Sequence, residues 1–194
     1  METSIKEKKV YTFEEYLALE EADGIRYEFF NGEVFAMAGG SINHFRVARN
    51  VSDALRQLFE PKGCYVFQEN VKLQLEENNY YMYPDVMVSC NEEDLKASQF
   101  ICHPTIIVEV LSETTSEYDH VVKLQRYIRT ASLKYYLLVS QKYPTIEVYS
   151  RQKETPLFTY AHYQGMDTKI ELAEGISLSM EDIYKNIELT PPTP

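Results

Sequence analysis

The chain has 194 residues, 44% of them hydrophobic and 25% charged, which fits one globular domain with a substantial core and two small ones only with difficulty. A net charge of −11 argues against a protein that coats nucleic acid non-specifically, because such affinity comes from neutralising phosphates. No apolar run approaches the ~20 residues needed to cross a bilayer, and "METSIKEKKV" has no apolar core for a signal peptide, so no membrane association and a cytoplasmic location are expected.

The charge is uneven. Residues 14–33 carry seven acids and one Arg, whereas 119–134 carry Lys123, Arg126, Arg129 and Lys134 against Asp119 alone. A local basic face on an acidic protein is therefore compatible with the composition. Cys64, Cys90 and Cys102 are widely separated and show neither a disulfide framework nor metal-ligand spacing, and Cys102-His103 has no second pair nearby to complete a zinc site.

In chain order, residues 1–10 read as a loose polar lead. "TFEEYLALEEADG" (12–24) predicts a helix, with Thr12 and Glu15 at capping-box spacing and Gly24 at its end. "RYEFFNGEVFAMA" (26–38) predicts a hairpin around Asn31-Gly32, with Glu28 opposite Phe35 and Phe30 opposite Glu33. Residues 43–60 predict a helix with an apolar stripe at 44, 48, 51, 55 and 58, and with Arg46, Arg49, Asp53 and Arg56 on the opposite face. "CYVFQENVKLQLE" (64–76) alternates as one strand, and 83–89 and 105–112 read as short buried strands. Residues 117–131 predict a helix with a stripe at Val121, Leu124, Ile128 and Ala131, and Asp119, Lys123 and Tyr127 along its edge. Strands follow at 134–141, 145–151 and 157–163, then a short helix capped by Ser179 and a tail over 188–194. This order predicts an α/β (α+β) domain over 11–187, a mixed central sheet flanked by helices with an N-terminal helix and hairpin.

Two acids do not belong where they stand. Glu109 interrupts the apolar run "TIIVEVLS", and Asp85 sits just inside "PDVMV". An unpaired buried carboxylate costs several kcal/mol or more, comparable with the stability of a domain. Each has a plain structural alternative: Glu109 paired with an Arg or a backbone donor, and Asp85 closing a turn after Pro84. If the two strands are neighbours, however, the carboxylates share one face and repel. A hard divalent cation resolves that, because Mg²⁺ takes one or two carboxylates together with waters and phosphate oxygens.

The ordered set "YTFEEYLALEE", "RYEFFNGEVFAMA", His44, "YPDVMV", "IIVEVLSETTSEYD", "KLQRY", "KYYLLV" and "EGISLSMEDIY" resembles the Uma-type restriction-endonuclease family, a domain of unknown function within the PD-(D/E)XK nuclease superfamily. The resemblance spans roughly residues 11–187 and implies a restriction-endonuclease-like fold and a Mg²⁺- (or Mn²⁺-) dependent endonuclease acting on DNA. It implies Asp85, Glu109 and the Val110 backbone carbonyl as metal ligands, with Glu28 as a further carboxylate. The superfamily lysine falls at position 111, where this chain has Leu111. Lys123, one turn into the following helix, is the expected substitute, with its ammonium reaching Glu109. The alternative is a surface ion pair between Asp119 and Lys123. Tyr127 is expected to support the site, His44 to stand at its edge or else to be a core-facing, hydrogen-bonded histidine, and Arg46, Arg49, Arg126 and Arg129 to contact DNA. A homodimer would suit a two-fold duplex substrate. The competing readings are a non-catalytic binding or scaffolding module on this fold and a phosphodiesterase for a smaller substrate.

Overall fold

The computed structural model describes residues 9–37, 39–112, 116–153, 155–173 and 175–190. Most of the loose lead and most of the expected tail lie outside these residues. Residues 188–190 do not hang free: the Asn43 side-chain amide donates to the Glu188 carbonyl, and the Thr190 N–H donates to that of Lys142.

Helix α1 (Phe13–Asp23) carries the predicted capping box and ends on left-handed Gly24. Strands β1 (Tyr27–Phe30) and β2 (Glu33–Ala36) form the predicted hairpin, with Glu28 opposite Phe35 and Phe30 opposite Glu33. The Asn31-Gly32 turn needs positive φ at both residues and has it, at 48° and 81°. Helix α2 (Ile42–Phe59) buries Val47, Ala48, Val51 and Leu55 and exposes Arg46 and Arg49.

The stretch 64–76 is not one strand. It divides into β3 (Tyr65–Gln68) and β4 (Leu73–Glu76), which belong to different sheets. The break lies at Glu69 and Asn70, both left-handed, with φ of 41° and 54°. Residues 80–89 likewise hold two strands, β5 (Tyr80–Met82) and β6 (Val86–Ser89), followed by the short α3 (Glu92–Lys96). Strand β7 (Pro104–Leu111) leads to α4 (Ser116–Tyr118), a π-helical turn (Asp119–Lys123) and α5 (Leu124–Tyr127). Strands β8 (Tyr135–Ser140), β9 (Thr145–Arg151) and β10 (Phe158–Gln164) follow, then the hairpin β11 (Lys169–Ala173) and β12 (Ile176–Ser179) and helix α6 (Met180–Ile183).

The central sheet has the order β10-β9-β8-β7-β6-β3 and is mixed, because β7 and β8 run parallel while the other pairs are antiparallel. A second sheet has the order β2-β1-β5-β4. Alternation along the central strands divides the core. Val86, Val88, Val108 and Val110 face α2 and α6, whereas Met87, Ile107, Tyr136 and Leu138 face the crossover segment that joins β7 to β8.

The crossover departs from the predicted amphipathic stripe. Val121 is 49% exposed and Ala131 is exposed, while Asp119, Lys123 and Tyr127 are buried. The polar row expected at the edge is the row that faces the core. The π-helical turn places these side chains under the sheet, a local widening that recurs at functional sites. The surface ion pair considered for Asp119 and Lys123 is thus a buried one.

A disulfide links Cys64 and Cys90, contrary to the expectation that the cysteines form none. The two residues directly follow the last register pair of β3 and β6, Tyr65 with Ser89, so antiparallel pairing carries them opposite one another. Spacing along the chain could not show this, because the pairing is set by sheet register. Cys102 stays a free thiol, and buried Asp94 accepts from the backbone N–H groups of Cys102 and His103.

Candidate active site

Register brings the two anomalous acids together. Val86 pairs with Val108 in the β6–β7 ladder, so Asp85 stands one step beyond it, opposite Glu109. Both side chains follow the parity of Met87 and Ile107 and fall on one face. The Val110 N–H donates to Asp85 Oδ2 at 2.7 Å, fixing Asp85 against β7 where the ladder ends. In a strand the N–H and C=O of one residue point to the same side, so the Val110 carbonyl is directed toward Asp85 as well. The other Asp85 oxygen lies 3.1 Å from His44 Nε2, in the first turn of α2. Gly40 permits this approach: a Cβ there would stand 2.7 Å from the His44 ring.

Glu109 is 3% exposed, and its Oε1 accepts from Lys123 Nζ at 3.0 Å and from the Tyr127 hydroxyl at 2.8 Å. Lys123 also meets Glu28 Oε1 at 3.2 Å and Asp119 Oδ1 at 3.3 Å. Glu28 reaches the cluster from β1, so the hairpin sheet closes over the site. The expected direct contact between the helix lysine and Glu109 is present. Asp119 is the acid that sequence reasoning undervalued. Its spacing of four from Lys123 was the available signal, but only the crossover packing shows it to be buried.

Four acids (Glu28, Asp85, Glu109 and Asp119) thus stand against Lys123 and His44. Burial drives the Glu109 carboxyl well above the usual carboxylate range; Lys123 opposes this, and Asp119, Asp85 and Glu28 add to it. Burial alone would lower Lys123, but the surrounding carboxylates outweigh it and hold the ammonium charged, well above its ordinary range. His44 loses basicity to burial and regains more from the Asp85 hydrogen bond and charge, with Glu69 and Asp119 behind, so it lies above an ordinary imidazole.

This donor chemistry fits a hard divalent cation. The donors are oxygens, and four carboxylates stand against Lys123 and His44, so negative charge is in excess. Among the described residues no three His, Cys, Asp or Glu side chains form a metal-holding group. Asp85, Glu109 and the Val110 carbonyl make a two-carboxylate set, which is what Mg²⁺ commonly takes.

The acids open into a cleft of about 930 Å³, lined also by Arg26, Phe35, Met37, Phe45 and Tyr118. None of the four arginines expected to contact DNA lines it. Arg46 is exposed on α2, and Arg49 is paired with Asp53. Arg126 lies over the edge-packed Phe30 and Tyr80 rings, 4.7 Å from each centroid, and Arg129 is exposed beyond α5. The side chains that do line the cleft with positive charge, apart from Lys123, are Arg26 and Lys142. Among the described residues no helix is long and apolar enough to span a membrane.

Known proteins share the fold and part of the sequence. A crystal structure described as a putative nuclease belonging to DUF820, from Anabaena variabilis ATCC 29413, superposes with a TM-score of 0.71 at 17% identity, covering 89% of this chain and 97% of that one. The restriction-endonuclease-like mixed sheet is therefore shared. Two uncharacterized proteins of Synechocystis sp. (strain PCC 6803) are similar in sequence. One, slr1290, is 34% identical over 175 residues, covering 90% of this chain and 91% of its own length. The other, sll1609, is 32% identical over 145 residues, covering 74% and 82%. The model of the Uma2 family, described as "Putative restriction endonuclease", matches residues 13–190. On that match and the slr1290 identity, the chain belongs to the Uma2 family.

Proposed function

We propose that residues 11–187 act as one catalytic domain, a Mg²⁺- or Mn²⁺-dependent endonuclease that hydrolyses DNA phosphodiester bonds. The observation that carries this reading is the placement of Asp85 opposite Glu109, at the open end of the β6–β7 ladder, with Lys123 Nζ 3.0 Å from Glu109. Asp85, Glu109 and the Val110 carbonyl would hold the cation. When bound, the cation supplies Lewis-acid polarisation of the phosphate and lowers the pKa of an attacking water.

The chain's own groups do the positioning. The Val110 N–H and His44 fix the two oxygens of Asp85, one each. The Tyr127 hydroxyl fixes the Glu109 rotamer from below. Lys123 stands in for the strand lysine that Leu111 replaces, offering a permanent positive charge where charge builds on the phosphate. Cleavage of both strands of a duplex would bring two copies together, a requirement that a single-stranded substrate does not impose.

A second reading is a binding module, in which the cluster is structural. It is favoured by one observation: Lys123 already satisfies Glu109, Glu28 and Asp119 without a metal. The two readings separate on metal binding. In the nuclease reading, Mn²⁺ raises the melting temperature by an amount corresponding to about 2.7 kcal/mol at a hundredfold excess over its dissociation constant. Asp85→Asn and Glu109→Gln each abolish that rise. A rise that persists in both variants places the metal elsewhere and removes this site from the proposal.

A further inference from the structure

The β1–β2 hairpin turns one alternating face toward the cleft. Arg26 and Glu28 lie on one side of it, and Phe35 and Met37 on the other. Glu28 is opposite Phe35, and the Met37 N–H bonds to the Arg26 carbonyl one step further out. Glu28 is buried against Lys123, while Arg26 is exposed, with no ion pair among the described residues. Phe35 and Met37 are each 37% exposed, and Phe45 on α2 is 42% exposed across the same mouth. Large apolar surface is thus retained at the entrance to a carboxylate site, with one exposed guanidinium beside it. Arg26 and Tyr83 also line an adjoining groove of about 410 Å³ with Phe100. The cleft therefore continues past the guanidinium toward the half-buried Phe100 ring.

We infer that the substrate strand enters this site unpaired: single-stranded DNA, with a base received by Phe45, Phe35 and Met37 and a phosphate held by Arg26. The inference rests on the nuclease reading and names its substrate class. A duplex turns its bases inward and offers phosphates, which need a positive surface. This cleft is lined by acids, and the expected arginines lie off it. An unpaired base offers a π-face to the apolar rim, a contact that tolerates any sequence. In the adjoining groove, half-buried Phe100 is the ring that the next nucleotide would meet.

The test is fluorescence anisotropy at low salt in Ca²⁺, with a labelled oligothymidine and a hairpin duplex of equal length, alongside Mg²⁺-dependent cleavage of both. Wild type should bind the single strand about tenfold more tightly than the duplex or better. Phe45→Ala should weaken single-strand binding about tenfold without changing duplex binding and with only a small fall in melting temperature, because the residue is 42% exposed. Arg26→Ala should weaken single-strand binding and flatten its salt dependence. Equal or tighter duplex binding, or an unchanged Phe45→Ala, overturns the inference; duplex cleavage that persists then leaves the nuclease reading standing. No binding of either DNA with no cleavage overturns both.

Discussion

Lys123 Nζ and Glu109 Oε1 meet at 3.0 Å although one side chain comes from the crossover and the other from the strand it leaves. In the proposed nuclease reading, the lysine expected at position 111 is supplied from the π-helical turn, through the space under β7. With Lys123 only 7% exposed and three carboxylates around it, this contact is structural as well as electrostatic.

Lys123→Ala is therefore expected to destabilise the fold by about 3–5 kcal/mol, because it leaves Glu28, Glu109 and Asp119 buried without their cation. The sequence alone suggests a mild effect on folding, since a lysine on a helix edge is ordinarily solvated. Urea denaturation measures the difference. Adding Glu109→Gln in the same chain should recover part of the loss, since it removes one of the stranded charges.

Arg126 makes a complementary case. Its guanidinium lies over the Phe30 and Tyr80 rings, so Arg126→Ala should cost about 1–2 kcal/mol of stability and leave DNA affinity unchanged. A mutant that keeps its stability and loses DNA binding would return Arg126 to the nucleic-acid surface.

The Cys64–Cys90 disulfide closes a loop across a sequence separation of 26. Chain-entropy arguments give such a loop about 3 kcal/mol of stabilisation. Cys64→Ser with Cys90→Ser, or a phosphine reductant, should lower the unfolding free energy by about that amount. The β3–β6 ladder should survive, since its backbone pairs continue to Gln68 and Val86.

His120 links the crossover to β9: Nε2 lies 2.9 Å from Glu147 Oε1, and Nδ1 lies 2.7 Å from the Ser116 carbonyl. Partial burial lowers its basicity, but Glu147 and the Ser116 carbonyl outweigh that, and its pKa in the fold lies above 6.5. The folded state then binds more protons than the unfolded state in the window above 6.5. The pair's stabilisation is complete below that value and is lost as pH rises through the folded pKa. Melting temperature followed across neutral pH should show this decline in wild type and a shallower one in His120→Gln, where the raised His44 still contributes.

Much of the frame was legible because local chemistry decided it. The Thr12–Glu15 box, the Asn31-Gly32 turn and the α2 stripe each depend on residues within a few positions of one another. The two acids stood out because an apolar strand gives no reason for them. What the sequence hid was non-local. The break at Glu69-Asn70 needs two left-handed residues that alternation does not reveal. The opposition of Cys64 and Cys90 follows from strand register. The inward turn of Asp119, Lys123 and Tyr127 reverses the usual rule that a helix buries its apolar stripe, because the buried partner is itself a carboxylate.

In the proposed reading Glu109, with Asp85 and Lys123, forms the reacting centre. The most direct test is the rate of DNA cleavage by wild type and by Glu109→Gln, each in Mg²⁺, in Mn²⁺ and after chelation, with a thermal melt confirming that the variant is folded. Wild type should cut in either metal and stop on chelation, and Glu109→Gln should be slower by at least about a hundredfold. A folded Glu109→Gln that cuts at the wild-type rate, or a wild type that cuts no DNA in either metal, would contradict the account.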